Sequence, residues 1–266
     1  MRICRLSRHR PRRTTRSRTE SETCTTNSVI EPPAPPGQSL VKILEADLIS
    51  SAGSAAGLKS FIGFQIALIG RSNVGKSSLI NALIRRKLAR TSRAPGKTGL
   101  VNVYRVRVAI TKSHVETVDL VDLPGYGYAR GGVRRAEAFA ELAEAYFTAL
   151  ATAGRADKSL QGDPPVLHLV DSRHPELDAD RIAHTWLANH GLRVLTVGTK
   201  ADVLPRAKWK RVARMIGDRT DGQVVLVSAK NGDGLQDLWK MILKVLDQRL
   251  RDSGQTARAR STHPGP

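Results

Sequence analysis

The stretch Gly70-Arg71-Ser72-Asn73-Val74-Gly75-Lys76-Ser77 constrains this chain more than any other, because it follows directly on an apolar, strand-like run at 64–69 and leads into a helical pattern. It fits G-x-x-x-x-G-K-[ST] in the strand–loop–helix context that gives the pattern its physical meaning. Gly70 and Gly75 let the backbone wrap closely enough for its amides to cradle phosphate oxygens. The helix that follows adds roughly 1 kcal/mol of attraction for an anion at its N-terminus. Lys76 supplies a mobile positive charge, and the Ser77 hydroxyl is a hard oxygen donor suited to Mg²⁺.

Around this loop, strand-like and helical runs alternate. Strands are expected at 64–69, 101–109, 115–121, 166–170, 194–197 and 224–227, with helices at 75–86, 134–150, 176–189, 206–217 and 235 to about 250. Such a rhythm predicts an α/β fold, a mostly parallel six-stranded sheet with helices on both faces. The link at 110–114 is too short for a crossover, so the strands on either side of it must form one antiparallel pair. Aromatic residues make up only 4% of the 266 residues, which leaves Val, Leu, Ile and Ala to build the core. Trp186, Trp209 and Trp239 fall within helices at core-like spacing and read as packing residues.

The domain is expected over 39–250. Residues 1–38 hold eight arginines before the first acid at Glu20 and then a Pro-rich run, and read as a disordered basic arm; 251–266 read as a disordered tail. A transit peptide is the weaker reading of the arm, since no amphipathic apolar face is visible. The formal charge of +19, from 43 Lys and Arg against 24 Asp and Glu, points to polyanionic partners. Cys4 and Cys24 both lie in the arm, so no disulfide framework is expected. With no apolar run long enough to span a bilayer, a cytoplasmic protein is expected.

A phosphate cradle does not identify the base. In α/β sheets the discriminating residues come from the carboxyl ends of later strands. The run 115–121 ends in Asp122-Leu123-Pro124-Gly125, a D-x-x-G in which the aspartate reaches Mg²⁺ through its water shell and the glycine amide reaches a γ-phosphate. The run 194–197 leads to Thr199-Lys200-Ala201-Asp202, and 224–227 ends in Val227-Ser228-Ala229. Asp202 can accept from the ring N–H and exocyclic amine of guanine together. Adenine would leave that carboxylate facing a bare ring nitrogen, a mismatch worth up to ~10⁴-fold. Lys200 lies along the base with its stem, and the backbone around Ala229 meets the guanine carbonyl.

With these residues assembled, the sequence resembles the EngB-type GTP-binding proteins. The resemblance rests on 70–81 (GRSNVGKSSLIN), 88–98 (LARTSRAPGKT), 121–129 (VDLPGYGYA), 171–174 (DSRH) and 199–202 (TKAD), and covers roughly 40–250. It implies a P-loop GTPase domain that acts as a slow nucleotide switch. It also implies a monomer that partners the large ribosomal subunit and its rRNA, with a link to cell division and septation; a septal, nucleotide-gated interaction protein is the alternative. It assigns Thr98 as the second Mg²⁺ ligand beside Ser77, with Gly96, Lys97, Thr98, Gly99 and Leu100 ordering around the γ-phosphate.

Tyr126 stands where many GTPases carry a water-orienting glutamine. Its ordinary pKa of about 10 disqualifies it as a base near neutral pH, so turnover of about 10⁻⁴ to 10⁻² s⁻¹ is expected. Catalytic charge is then left to Lys76 and to Asn73. Two readings stand for Asn73: it helps to hold K⁺ beside the phosphates, or it bonds the loop backbone. His174 is read as ordering its loop. The stretch 152–164 is read as a longer loop than such proteins usually carry.

Overall fold

Strand β2 (Phe64–Gly70) is buried along its whole length, as a run without alternating polar residues demands of a strand covered on both faces. The computed structural model describes residues 41–53, 64–91, 100–111, 113–126, 133–156 and 165–261. Before β2 comes β1 (Lys42–Ala52). After it come α1 (Lys76–Ile84), β3 (Val101–Ala109), β4 (Val115–Asp122), α2 (Val133–Ala156), β5 (Val166–Asp171), α3 (Asp178–Asn189), β6 (Val194–Thr199), α4 (Trp209–Thr220), β7 (Val224–Leu226) and α5 (Leu235–Ser261). They form one sheet in the order β1-β3-β4-β2-β5-β6-β7.

The expected α/β class holds, with two differences in the sheet. It has seven strands rather than six, and β3 pairs antiparallel with β1 as well as with β4. The extra strand β1 buries only Ala46 and Ala52 fully, so it carries no clear apolar alternation. The remaining pairs are parallel. Two helices run past their expected ends: α2 takes in 152–156, read from the sequence as loop, and α5 continues beyond 250 to Ser261.

Period-two alternation along β2 sorts the core into two layers. Ile66 and Leu68 face Leu79 and Leu83 of α1 and Leu238, Trp239, Ile242 and Val245 of α5. Ala67 and Ile69 face the other layer, with Tyr146 of α2 and Leu187 of α3. A third cluster seats α4 through Val212 and Ile216 on Val170 and Leu226. Trp239 is buried, while Trp186 and Trp209 are half-buried against these clusters, which is the packing role expected of all three. Among the described residues no helix is long and apolar enough to cross a membrane.

Candidate nucleotide-binding site

The loop between β2 and α1 has the backbone its glycines predict. Gly75 has φ +113 and Asn73 φ +63, left-handed values that glycine adopts freely and asparagine tolerates. At Gly70 a Cβ would come within 2.8 Å of both the Leu169 carbonyl oxygen and Val74 Cγ1, so this position excludes any side chain. The Gly75 cap and the first turn of α1 carry no acid and no capping side chain, which leaves the helix N-terminus open to an anion. Lys76 Nζ donates to the Gly70 carbonyl at 3.1 Å and reaches that of Arg71 at 3.5 Å. Burial lowers its pKa, and the charge of Asp122 opposes that shift.

Ser77 and Asp122 meet at the edge of the cradle. Ser77 Oγ donates to Asp122 Oδ2 at 3.3 Å, while Asp122 Oδ1 is buried with no hydrogen-bond partner among the described residues. Burial raises the Asp122 pKa, against the Lys76 charge and the Ser77 hydrogen bond. A hydroxyl and an orphaned carboxylate oxygen beside a phosphate cradle are the hard donors a hydrated Mg²⁺ needs. Gly96, Lys97, Thr98 and Gly99 lie outside the described residues. Leu100 is exposed just before β3.

Main-chain bonds attach the D-x-x-G segment to β2 and to the loop: the Leu123 amide donates to the Leu68 carbonyl at 3.3 Å, and the Ser72 amide to the Tyr126 carbonyl at 3.0 Å. Leu123 is fully buried. Tyr126 turns its side chain inward, where it is buried. Its hydroxyl lies 2.8 Å from His168 Nε2 and donates to Asp180 Oδ1 at 2.9 Å. Burial pushes its pKa well above 10, with Asp180 adding to the shift, so the sequence argument against a basic role gains strength.

At the carboxyl ends of β5, β6 and β7 the residues expected around a guanine converge. Thr199 Oγ1 is 2.7 Å from the Val74 carbonyl oxygen. Lys200, held at φ +58, donates to the Asn73 carbonyl at 2.6 Å and to Asp171 Oδ2 at 2.9 Å. The Ala201 amide donates to the Val227 carbonyl at 3.0 Å, and Ser228 Oγ donates to Asp202 Oδ1 at 2.9 Å. The Ser228 bond orients Asp202 and leaves its second oxygen for a ligand, while half-buried Ala229 follows Ser228 at the rim.

Three carboxylate and imidazole positions were not assigned a site role from the sequence. Asp171 bonds Lys200 and, through both oxygens, Arg173. Burial pushes its pKa up, but those cations more than offset this and hold it well below the usual carboxylate range. The D-S-R-H motif was the available signal, and His174 enters that loop through its amide, which donates to the Asp171 carbonyl at 2.9 Å. Asp180 and His168 gave no signal in one dimension.

A family model described as "50S ribosome-binding GTPase" matches residues 65–200. The chain is 41% identical over 209 residues to a probable GTP-binding protein EngB of Symbiobacterium thermophilum, a match spanning 67% of this chain and 85% of that one. It is 34% identical over 219 residues to the protein of the same description from Desulfitobacterium hafniense, covering 80% of this chain and all of the relative. Among solved structures, Aquifex aeolicus Era bound to GDP·AlF4⁻ superposes with a TM-score of 0.51 at 23% identity, over 68% of this chain and 56% of that one. That likeness concerns the fold alone.

Proposed function

The chain belongs to the EngB family of P-loop GTPases, and on that premise we propose that it is a GTP-driven switch in assembly of the large ribosomal subunit, on which normal cell division and septation depend. One observation on this chain carries the reading. Arg206, Lys208, Lys210, Arg211 and Arg214 are all exposed along the 3-10 turn Arg206–Lys208 and the start of α4, and no acid interrupts the sequence between Asp202 and Asp218. Arg206 also lies 3.8 Å over the Trp209 ring, which stiffens the start of this basic face. The face begins a few residues after Asp202, so a polyanion bound there would lie beside the base pocket. RNA phosphates are the natural partner of such a surface.

In this reading the amides of 70–77 and Lys76 hold the phosphates, Ser77 and Thr98 ligate Mg²⁺, and Asp122 acts through a bound water. Mg²⁺ supplies charge neutralisation across the phosphates when bound. Asp202 reads the base, with Lys200, Ala201, Val227, Ser228 and Ala229 shaping its pocket. Asn73 is exposed, and its side chain makes no hydrogen bond to a described residue. The carboxamide is therefore available to a K⁺ ion beside the phosphates, which favours that reading over a bond to the loop backbone. A hydrolysis rate that is the same in Na⁺ and K⁺ would remove the potassium role.

The ribosomal role is tested by sedimentation with large subunits at low salt, because phosphate contacts weaken steeply as salt rises. The protein comigrates with the particles when loaded with an unhydrolysable GTP analogue, and a variant carrying Lys210→Glu, Arg211→Glu and Arg214→Glu does not. Failure of the unaltered chain to comigrate, or midcell localisation that persists without ribosomes, counts against it.

A further inference from the structure

Arg206 differs from the other cations of the basic face in having its orientation fixed. Its guanidinium carbon lies 3.8 Å over the centre of the Trp209 ring, and Nη1 is 3.5 Å from Oδ1 of Asp233, just before α5. The ring is itself held. Trp209 is half-buried against the cluster that seats α4, and its Nε1 donates to the Leu204 carbonyl at 3.4 Å. The Arg206 side chain nevertheless remains 71% exposed. The indole covers one side of the guanidinium and a carboxylate meets one edge, so that exposure belongs to the side away from the ring.

These constraints suit a stacking partner better than a phosphate. A guanidinium grips phosphate with paired N–H donors along an edge, and here Asp233 already takes part of that edge. The flat face has no such competitor, and the ring behind it keeps it in place, so little side-chain freedom remains to be lost on binding. Arginine planes are among the surfaces on which unpaired RNA bases stack, whereas a base inside a duplex has no free face to offer. Phosphates are left to the neighbours. Lys208, Lys210, Arg211 and Arg214 are exposed, and Lys210 and Arg214 stand one helical turn apart on the same face of α4.

The geometry points to the Arg206–Trp209 pair as a docking site for one unpaired base of a single-stranded RNA segment, whose phosphates meet Lys210 and Arg214. The inference rests on the proposal that this face meets RNA, and adds which form of RNA it takes. A duplex satisfies the lysines and leaves the face of Arg206 unused. An unpaired stretch satisfies both, and base stacking is tolerant of sequence because every base has a π-face.

The test is fluorescence anisotropy of the full chain at low salt with three labelled probes: a short oligoadenylate, the same ribose-phosphate backbone without bases, and a duplex RNA of equal length. The unaltered chain binds the oligoadenylate about tenfold more tightly than the baseless backbone, within the range that one stacked base contributes. Arg206→Lys keeps the charge and loses the plane, so it removes that preference while its affinities for the other two probes stay within about twofold. Lys210→Gln weakens all three alike and lowers the salt slope by about one, which tells a phosphate contact from a base contact. The inference is overturned if Arg206→Lys behaves like Lys210→Gln or has no effect, or if the unaltered chain binds the two single strands equally or binds none of the probes. Should the chain still comigrate with large subunits in that case, the ribosomal role stands and only the stacking site is lost. A preference that Arg206→Lys abolishes, in a chain that does not comigrate, keeps the stacking site and removes the ribosomal role.

Discussion

Thr199 Oγ1 lies 2.7 Å from the Val74 carbonyl oxygen and 3.2 Å from that of Val170, so the hydroxyl that opens T-K-A-D stitches the phosphate loop to the end of β5. Thr199→Val keeps the volume and removes the donor. The loop then loses a buried hydrogen bond worth about 1 kcal/mol, and affinity for GDP and GTP falls together by about fivefold. Thr199→Ser restores most of it. Isothermal titration with both nucleotides measures this, and a loss confined to one of them would show that Thr199 senses the phosphate chain instead.

Asp202 is held by Ser228 Oγ at 2.9 Å, which leaves its other oxygen acceptor-only towards a base. Asp202→Asn retains the shape and turns one acceptor into a donor. Guanine presents donors at that edge, so GTP affinity drops on the order of 10²- to 10⁴-fold. Xanthine presents a carbonyl where guanine has its amine, and XTP binding improves. Competition of GTP, ATP and XTP against labelled GDP decides the matter. A variant that loses GTP and XTP alike has lost its pocket, not its specificity.

The loop before α1 was readable in one dimension because its demands are local: Gly70 and Gly75 are required by close approach and by a left-handed backbone, and such needs are written in residue type. The T-K-A-D residues were readable because their strand ends are. β1 was not, since its partner β3 lies beyond β2 and α1 in the chain, and most of its side chains face water. Asp180 was hidden for a related reason. An acid in the first turn of a helix is ordinarily a solvated charge favoured by the helix dipole, and it is Arg71, 109 residues away, together with Tyr126 that makes it a buried partner. The sequence excluded Tyr126 as a base, but the inward direction of its hydroxyl depends on α3.

Arg105 and Asp119 face each other across the β3–β4 pair, with Nε to Oδ1 at 2.9 Å and Nη2 to Oδ2 at 3.0 Å. The two ends are not equivalent: the Asp119 side chain is fully buried, while that of Arg105 is 25% exposed. Removing the cation strands a carboxylate with no route to water, whereas neutralising the carboxylate leaves a guanidinium that can turn outward. Arg105→Leu therefore costs about 3 kcal/mol and Asp119→Asn distinctly less. Urea unfolding of both variants gives the comparison, and the reverse order would contradict the burial argument.

His168 is the titrating group whose sign is clearest. It is fully buried, and its pKa falls to about 3 through burial first, then the neighbouring His184 and the Arg71 charge. Tyr126 gives its only hydroxyl proton to Asp180, so His168 Nε2 carries the hydrogen shared with Tyr126, and Nδ1 is left as a buried lone pair with no partner among the described residues. An unfolded chain protonates this histidine near 6.5, while the folded one resists until about 3. Between those values the unfolded state binds more protons, and stability falls with falling pH by up to about 1.4 kcal/mol per unit. Above 6.5 the contribution is constant. His184, its pKa also lowered by burial, adds a slope of the same sign, whereas Asp180, raised by burial, opposes it. His168→Gln keeps a donor for Tyr126 and cannot take up a proton. Urea unfolding of the two proteins between about pH 7.5 and 5 therefore shows the variant less stable at the upper end, with the gap closing as pH falls. Parallel curves would mean that His168 is protonated in the folded protein as readily as in the unfolded chain.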